Sequence, residues 1–382
     1  MNFEPLKDFL DYYLPMLGIP GSDTVIYKGR EEVFRYTAGF DNKALGTPVR
    51  RDALYHLYSC TKIATAIAAA QLMERGEIVI TDPVYAYFPE YRNLKVKEVM
   101  PDGTVEIRDA KKPMLIKHLL SMTSGLDYDF NRPGILRCKE RTDGRCPTLD
   151  IVRALAEDPL LFDPGEKYKY SLSLDVMGGI IELVSGMKLG EYMKENIFDP
   201  LGMKNTFFGF REERRYDMAT HYNYDSATKS AVEIPVETNV TNFGTEYESG
   251  GGGLVSCVDD YILIADALTH LGLGKNGNRI LSESAVNLMR KNQLSPSQLA
   301  DFQSAVHFEG YGYGFGLRNN MNPEVAGNLC TVGEFGWDGA KLSYLSADPA
   351  RKISVFHAEH MGGLHSVVIP RLRNLIYSCL DY

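Results

Sequence analysis

Apolar residues recur along the chain with two different periods, and the switches between them lay out the elements. Spaced Leu, Phe and Tyr over residues 3–17 predict an amphipathic helix. After Gly18-Ile19-Pro20-Gly21, two β-rich runs at 24–27 and 32–38 flank Lys28-Gly29-Arg30 and read as a hairpin. Residues 59–75 predict a long helix closed by Gly76. From about 82 to 204 the pattern is helical, at 114–121, 149–156, 174–185 and 189–197, with long polar loops between. The basic, turn-rich stretch 131–148 reads as a surface insertion, and 216–248 is rich in Tyr, Asn and Thr. Gly250-Gly251-Gly252-Gly253 then precedes a helix over about 258–271, and the run suggests a close approach to a strand. Strand patterns return in the last third, first at 311–317 and then as a hairpin of 341–347 and 352–357 around Asp348-Pro349-Ala350. Residues 370–380 predict a terminal helix.

The predicted fold class is α/β (α+β): an antiparallel β-sheet flanked by helices, with an inserted mainly helical lobe. Strands near both termini share the sheet, and the terminal helices cover it. The expected division is 1–80 plus 251–382 for the sheet domain and 81–250 for the helical one. A cleft between two lobes is a common place for a small-molecule site.

Composition narrows the function. The 382 residues are 44% hydrophobic and 24% charged, which excludes disordered and collagen-like chains. With 41 basic and 50 acidic residues the net charge is −9, and no basic block exists. Nucleic acid and anionic membranes are therefore not expected partners; a small-molecule substrate is. The longest apolar run, 63–73, is too short to span a bilayer. Six scattered cysteines include no C-x-x-C pair, which argues against structural zinc. Free thiols fit better than a Cys138–Cys146 disulfide. The N-terminus has no basic, long-apolar, small-residue succession of a secretory signal, so a cytoplasmic address is expected. The glycines at 310–316 have the wrong spacing for a dinucleotide loop, and His118, His357 and His360 lie in no metal-binding pattern. No G-x-S-x-G elbow is present. No cofactor and no metal are expected.

One candidate nucleophile stands out. Tyr58-Ser59-Cys60-Thr61-Lys62 opens the 59–75 helix, and Ser59 and Lys62, three apart, share a face with Ile63, Ala66, Ile67 and Ala70. A lysine on that apolar side loses hydration, its pKa falls, and it can act as a base. The helix N-terminus favours negative charge developing at Ser59. On local pattern alone a second reading stands, with Ser59 as an N-cap and Lys62 an exposed first-turn residue. S-x-x-K also occurs at Ser185–Lys188 and Ser226–Lys229, in poorer settings.

At this point the chain resembles the serine β-lactamase and penicillin-binding protein superfamily, whose S-x-x-K serine is acylated. The likeness runs in order from about residue 20 to the end. Residues 73–83 resemble the segment after the nucleophile helix. Ile116-Lys117-His118-Leu119-Leu120-Ser121-Met122-Thr123-Ser124-Gly125-Leu126 resembles H-L-L-x-x-T-S-G-L. Phe162-Asp163-Pro164-Gly165 through Tyr170-Ser171 resembles F-x-P-G-x-x-x-x-Y-S. Pro200-Leu201-Gly202-Met203 and Gly251 through Ser256 also match. The specific likeness is to class C β-lactamases, related esterases and D-amino-acid peptidases. It implies that Tyr170 shuttles a proton between Ser59 and the leaving group with Lys62 as electrostatic partner, which would lower the Tyr170 pKa. Alternatively Tyr170, one of 23 tyrosines, merely packs. Leu172 stands where the family's second motif has Asn. Trp337-Asp338-Gly339 aligns with the third motif, K-T-G or H-x-G, so Trp337 replaces the cation that holds a substrate carboxylate. By the same resemblance the Ser59 and Ala340 N–H groups form the oxyanion hole.

The resemblance thus implies a serine hydrolase working through a Ser59 acyl-enzyme, with Leu172, Trp337, Asp338 and Gly339 lining substrate. Loss of the amide-binding Asn and of the carboxylate-binding cation favours esters over β-lactams or D-peptides. The alternatives are a β-lactamase or D-peptidase with His360 or Arg318 as carboxylate anchor, an acyltransferase on the same scaffold, and a non-catalytic penicillin-binding sensor. Glu359 and His360 are further candidates for the cleft mouth.

Overall fold

The computed structural model describes residues 1–306 and 308–382. Eight antiparallel strands form one sheet in the spatial order Tyr311–Tyr313, Arg318–Asn320, Phe335–Asp338, Ser343–Asp348, Ile353–Glu359, Gly21–Lys28, Glu31–Asn42, Thr47–Pro48. The Gly21–Lys28 strand lies between Ile353–Glu359 and Glu31–Asn42, so the two ends of the chain are zipped into one sheet, as the patterning predicts. Successive residues of a strand face opposite sides. Ile26 joins Leu6, Leu10 and Leu14 of the N-terminal helix and Leu372 and Ile376 of the C-terminal helix on one face. Val25 and Tyr27 belong to the main core on the other, with Ile262 of the Val258–Thr269 helix and Ile63 and Ile67 of the Thr61–Glu74 helix. Within the 81–250 segment, the hairpin His221–Asp225/Ser230–Ile234 sits on the sheet side, where Tyr222 packs with the terminal helices.

The Thr61–Glu74 helix departs from its expected one-sided character. Every residue from Thr61 to Leu72 is buried, so it runs through the middle of the protein. Its polar side chains are stitches to neighbouring segments. Thr61 Oγ1 accepts the Leu254 N–H (3.1 Å), Thr65 Oγ1 donates to the Gly250 carbonyl (2.7 Å), and Gln71 donates to the Asn196 and Ile280 carbonyls.

Other departures have local causes. The 131–148 stretch is not a loose insertion. It contains the helix Pro133–Arg141 with Ile135 and Cys138 buried, and Arg137 pairs with Glu157. The hairpin Lys95–Val99/Val105–Asp109 went unanticipated because its exposed alternation is mostly polar. The helices Glu283–Met289 and Pro296–Val306 were also not anticipated. The terminal helix spans His365–Asp381, with Pro370 inside it rather than at its start. All six cysteines are free and buried.

Candidate active site

Ser59 sits on a tight turn, Tyr58–Cys60, that feeds the Thr61–Glu74 helix. Tyr58 holds φ 47°, a left-handed conformation that a bulky side chain rarely adopts. The surroundings over-determine it. The Leu57 N–H bonds the Leu254 carbonyl (2.9 Å), and the Leu57 carbonyl accepts from Ser343 Oγ (2.7 Å) and the Cys60 N–H (3.2 Å). Gly339 packs so closely here that a Cβ on it would lie 2.1 Å from the Leu57 oxygen. The β-strand Phe335–Asp338 and the segment following it are thereby pressed against the nucleophile turn. Ser59 alone of this turn is partly exposed. In the other two S-x-x-K pairs, Lys188, Ser226 and Lys229 are exposed to solvent.

Lys62 has 0% exposed surface. Its ammonium donates to Ser59 Oγ (3.1 Å), the Tyr128 hydroxyl (2.7 Å) and the Gly251 carbonyl (2.5 Å). All three partners are neutral, and the Tyr170 ring lies beneath Nζ at 4.8 Å. Burial lowers the Lys62 pKa to about 7, with the Asp175 carboxylate acting the other way. Asp175, itself buried, accepts from Tyr247 (2.6 Å), Ser249 (2.6 Å) and the Gly251 N–H (3.2 Å). The Gly251 residue is thus held by Asp175 at its N–H and offers its carbonyl to Lys62.

Tyr170 lies across from this pair. Burial raises its pKa far above the usual phenol value, opposed by hydrogen bonds with Ser59 and Trp337. The expected lowering by Lys62 is absent, because desolvation dominates and Lys62 is itself poised near neutrality. Trp337 is 6% exposed and donates its indole N–H to the Tyr170 oxygen (2.9 Å). Its rings pack against Tyr313 and Phe308 at 5.2 and 5.8 Å, so it backs Tyr170 more than it walls an open pocket.

Leu172, expected to line substrate, is 1% exposed and belongs to the core; only its backbone engages this region, through an N–H bond to the Asp127 carbonyl. Asp338 is partly exposed, with a carboxylate oxygen 3.9 Å from His365 Nε2. Ala340 is exposed at the tight turn Gly339–Leu342, and among the described residues neither its N–H nor that of Ser59 takes a hydrogen-bond acceptor. Both donors are left for a ligand.

Three expected cleft groups are elsewhere. Arg318 is fully buried and paired bidentately with Glu334 at 2.8 and 2.9 Å. His360 is buried edge-on between Tyr55 and Tyr222. Glu359 is buried against His357 at 3.1 Å. None can anchor a substrate carboxylate. Conversely, Tyr128 and Asp175 were missed. Tyr128 has no local signature among so many tyrosines, whereas an acid inside the apolar run Leu174-Asp175-Val176 was a readable signal. Among the described residues no cluster of three metal-ligating side chains occurs, and no helix is long and apolar enough to cross a membrane.

Known proteins share the fold and much of the sequence. The profile of the Beta-lactamase family matches residues 6–358. Protein Rv1367c of Mycobacterium tuberculosis is 30% identical over 347 residues, covering 89% of this chain and 85% of the relative. Esterase EstB of Burkholderia gladioli is 27% identical over 384 residues, covering 94% and 91%. Among solved structures, EstCE1, described as a hydrolase with promiscuous acyltransferase activity, superposes with a TM-score of 0.77 at 25% identity, covering 96% of each chain.

Proposed function

The chain belongs to the Beta-lactamase family, and from that premise we propose that it is a serine hydrolase acting on carboxylic esters through an acyl-enzyme on Ser59. The observation that carries this reading is Lys62: a buried amine 3.1 Å from Ser59 Oγ with a pKa of about 7. A general base works best with a pKa near the working pH. Neutral Lys62 takes the Ser59 proton as Oγ bonds to the carbonyl carbon. The oxyanion is received by the Ser59 and Ala340 N–H groups. Collapse breaks the bond to the leaving alcohol, whose oxygen takes a proton from the Tyr170 hydroxyl, and the Lys62 ammonium restores it. The raised Tyr170 pKa keeps that phenol protonated and able to donate. Water, or another acceptor, then releases the acyl group by the reverse proton path.

Esters fit because they require neither of the missing contacts. Trp337 replaces a cation, and Arg318 and His360 are not available to a carboxylate. The ester activity in the name of EstB supports the same substrate class. Six buried free thiols favour a reducing, cytoplasmic setting.

The test compares kcat/KM for short-chain p-nitrophenyl esters and a chromogenic cephalosporin on one enzyme preparation. The expected result is much faster ester turnover. A cephalosporin that equals the best ester would overturn the reading.

A further inference from the structure

We infer that His365 is a positioning residue for the oxyanion hole; this rests on the acyl-enzyme reading of Ser59. The donor in question is the Ala340 N–H, which shares one peptide group with the Gly339 carbonyl. That carbonyl accepts two hydrogen bonds, from the Leu342 N–H (2.8 Å) and from His365 Nε2 (2.7 Å). A carbonyl oxygen can only accept, so the imidazole carries its proton on Nε2. The first bond closes the tight turn and comes from the chain itself, through Leu342 at φ 64°. The second is a side chain brought from the far end of the sequence.

The delivery of that side chain is built into the backbone. His365 is the first residue of the terminal helix, and Gly362 and Gly363 lead into it. A Cβ on Gly362 would lie 2.0 Å from the Ala340 carbonyl oxygen, so only glycine lets this loop lie directly on residue 340. Gly363 takes φ 103°, which turns the chain into the helix. The loop therefore touches the same turn twice, through Gly362 at the Ala340 carbonyl and through His365 at the Gly339 carbonyl.

Two consequences follow from peptide electrostatics. A hydrogen bond accepted at the carbonyl polarises the amide and strengthens its N–H as a donor. It also fixes the peptide plane before substrate arrives, so the N–H needs no reorganisation as charge develops on the substrate oxygen. The effect acts on the transition state and not on ground-state binding, and it should be smaller than loss of a direct donor, which costs about 10²–10³ in rate.

The test uses the full chain with His365→Phe, which keeps a ring but loses the donor, and His365→Gln, which keeps a donor. Rates on a p-nitrophenyl ester and affinity for an alkylboronic acid, whose tetrahedral adduct on Ser59 mimics the intermediate, are compared at equal folded fraction. His365→Phe is expected to lower kcat about tenfold with KM within about twofold, and to weaken the boronate by the same factor, an indirect share of the direct-donor effect. His365→Gln is expected to recover most of both. Wild-type kcat and boronate affinity in the Phe variant would overturn the inference, as would a Gln variant impaired as deeply as the Phe variant. A wild-type enzyme with no ester turnover and no adduct on Ser59 would instead overturn the functional reading, and this inference with it.

Discussion

Lys62 and Arg318 are both fully buried cations, and their surroundings make them opposites. Arg318 faces Glu334 through two hydrogen bonds, stacks over Tyr311 at 5.3 Å, and shares its carboxylate with Ser346. Burial works to strip its proton, but the Glu334 charge, its hydrogen bonds and the neighbouring Tyr344 and Tyr311 together outweigh burial and hold the guanidinium charged; Glu334, against its own burial, is kept below the usual carboxylate range by Arg318 and Arg373. Lys62 has only a serine, a phenol and a carbonyl around its ammonium, so burial wins and its pKa falls to about 7. The counter-ion decides where proton transfer can occur. A buried cation with a counter-ion is locked into one state; a buried cation with neutral acceptors has two accessible states at neutral pH.

The contrast can be broken at either end. Lys62→Met should cost on the order of 10²–10⁴ in kcat/KM, the usual weight of a general base. Its melting temperature should change little, since a costly buried charge leaves with the lost hydrogen bonds. A variant that keeps near-full activity would remove Lys62 from the mechanism. Arg318→Met should do the reverse: it leaves buried Glu334 with only Ser346 and the more distant Arg373 charge, and should cost about 3 kcal/mol of stability in denaturant unfolding. Activity per folded molecule should stay close to wild type. The double variant Arg318→Met/Glu334→Gln should lose less than the sum of the two single losses, even with the Arg373 charge left in the cluster, and a strictly additive double variant would argue against the pair.

Lys62 also imposes a pH dependence. Activity needs neutral Lys62, so kcat/KM should rise with pH through about 7. Stability has a calculable sign as well. Between about 7 and the ordinary lysine value of 10.5 the unfolded chain binds the proton and the folded chain does not, so Lys62 makes stability rise with pH across that window. Below about 7 the group contributes its full cost. Plots of unfolding free energy against pH for wild type and Lys62→Met should therefore differ in slope between about 7 and 10.5 and run parallel below about 7. The smallest effect expected is Asp175→Asn. Asp175 is the charge that opposes burial at Lys62, so its loss should move the acid limb of the profile to lower pH, by up to about one unit. An unmoved limb would show that Asp175 serves the Gly251 loop only as a hydrogen-bond acceptor.

What the sequence revealed depended on distance along the chain. Ser59 and Lys62 were legible because they lie three apart on one helix. The fall in the Lys62 pKa was legible too, since it follows from the apolar companion residues. The partners that define its state were not: Tyr128 lies 66 residues away and Gly251 189. Arg318 reads in sequence as a free cation because its counter-ion, Glu334, lies 16 residues on, just before the Phe335–Asp338 strand that pairs with the strand of Arg318. The zipped termini were readable from period-two runs at both ends. The start of the last helix was not, because Pro370 imitates a helix start and hid the five residues that place His365.

Ser59 carries the acyl group during turnover in the proposed mechanism. Peptide mass spectrometry of enzyme acid-quenched during turnover of a p-nitrophenyl ester tests it most directly. One acyl group is expected on the peptide containing Ser59 and Lys62, and none in Ser59→Ala. An acyl group on Ser185 or Ser226, or steady turnover by Ser59→Ala with no adduct on that peptide, would contradict it.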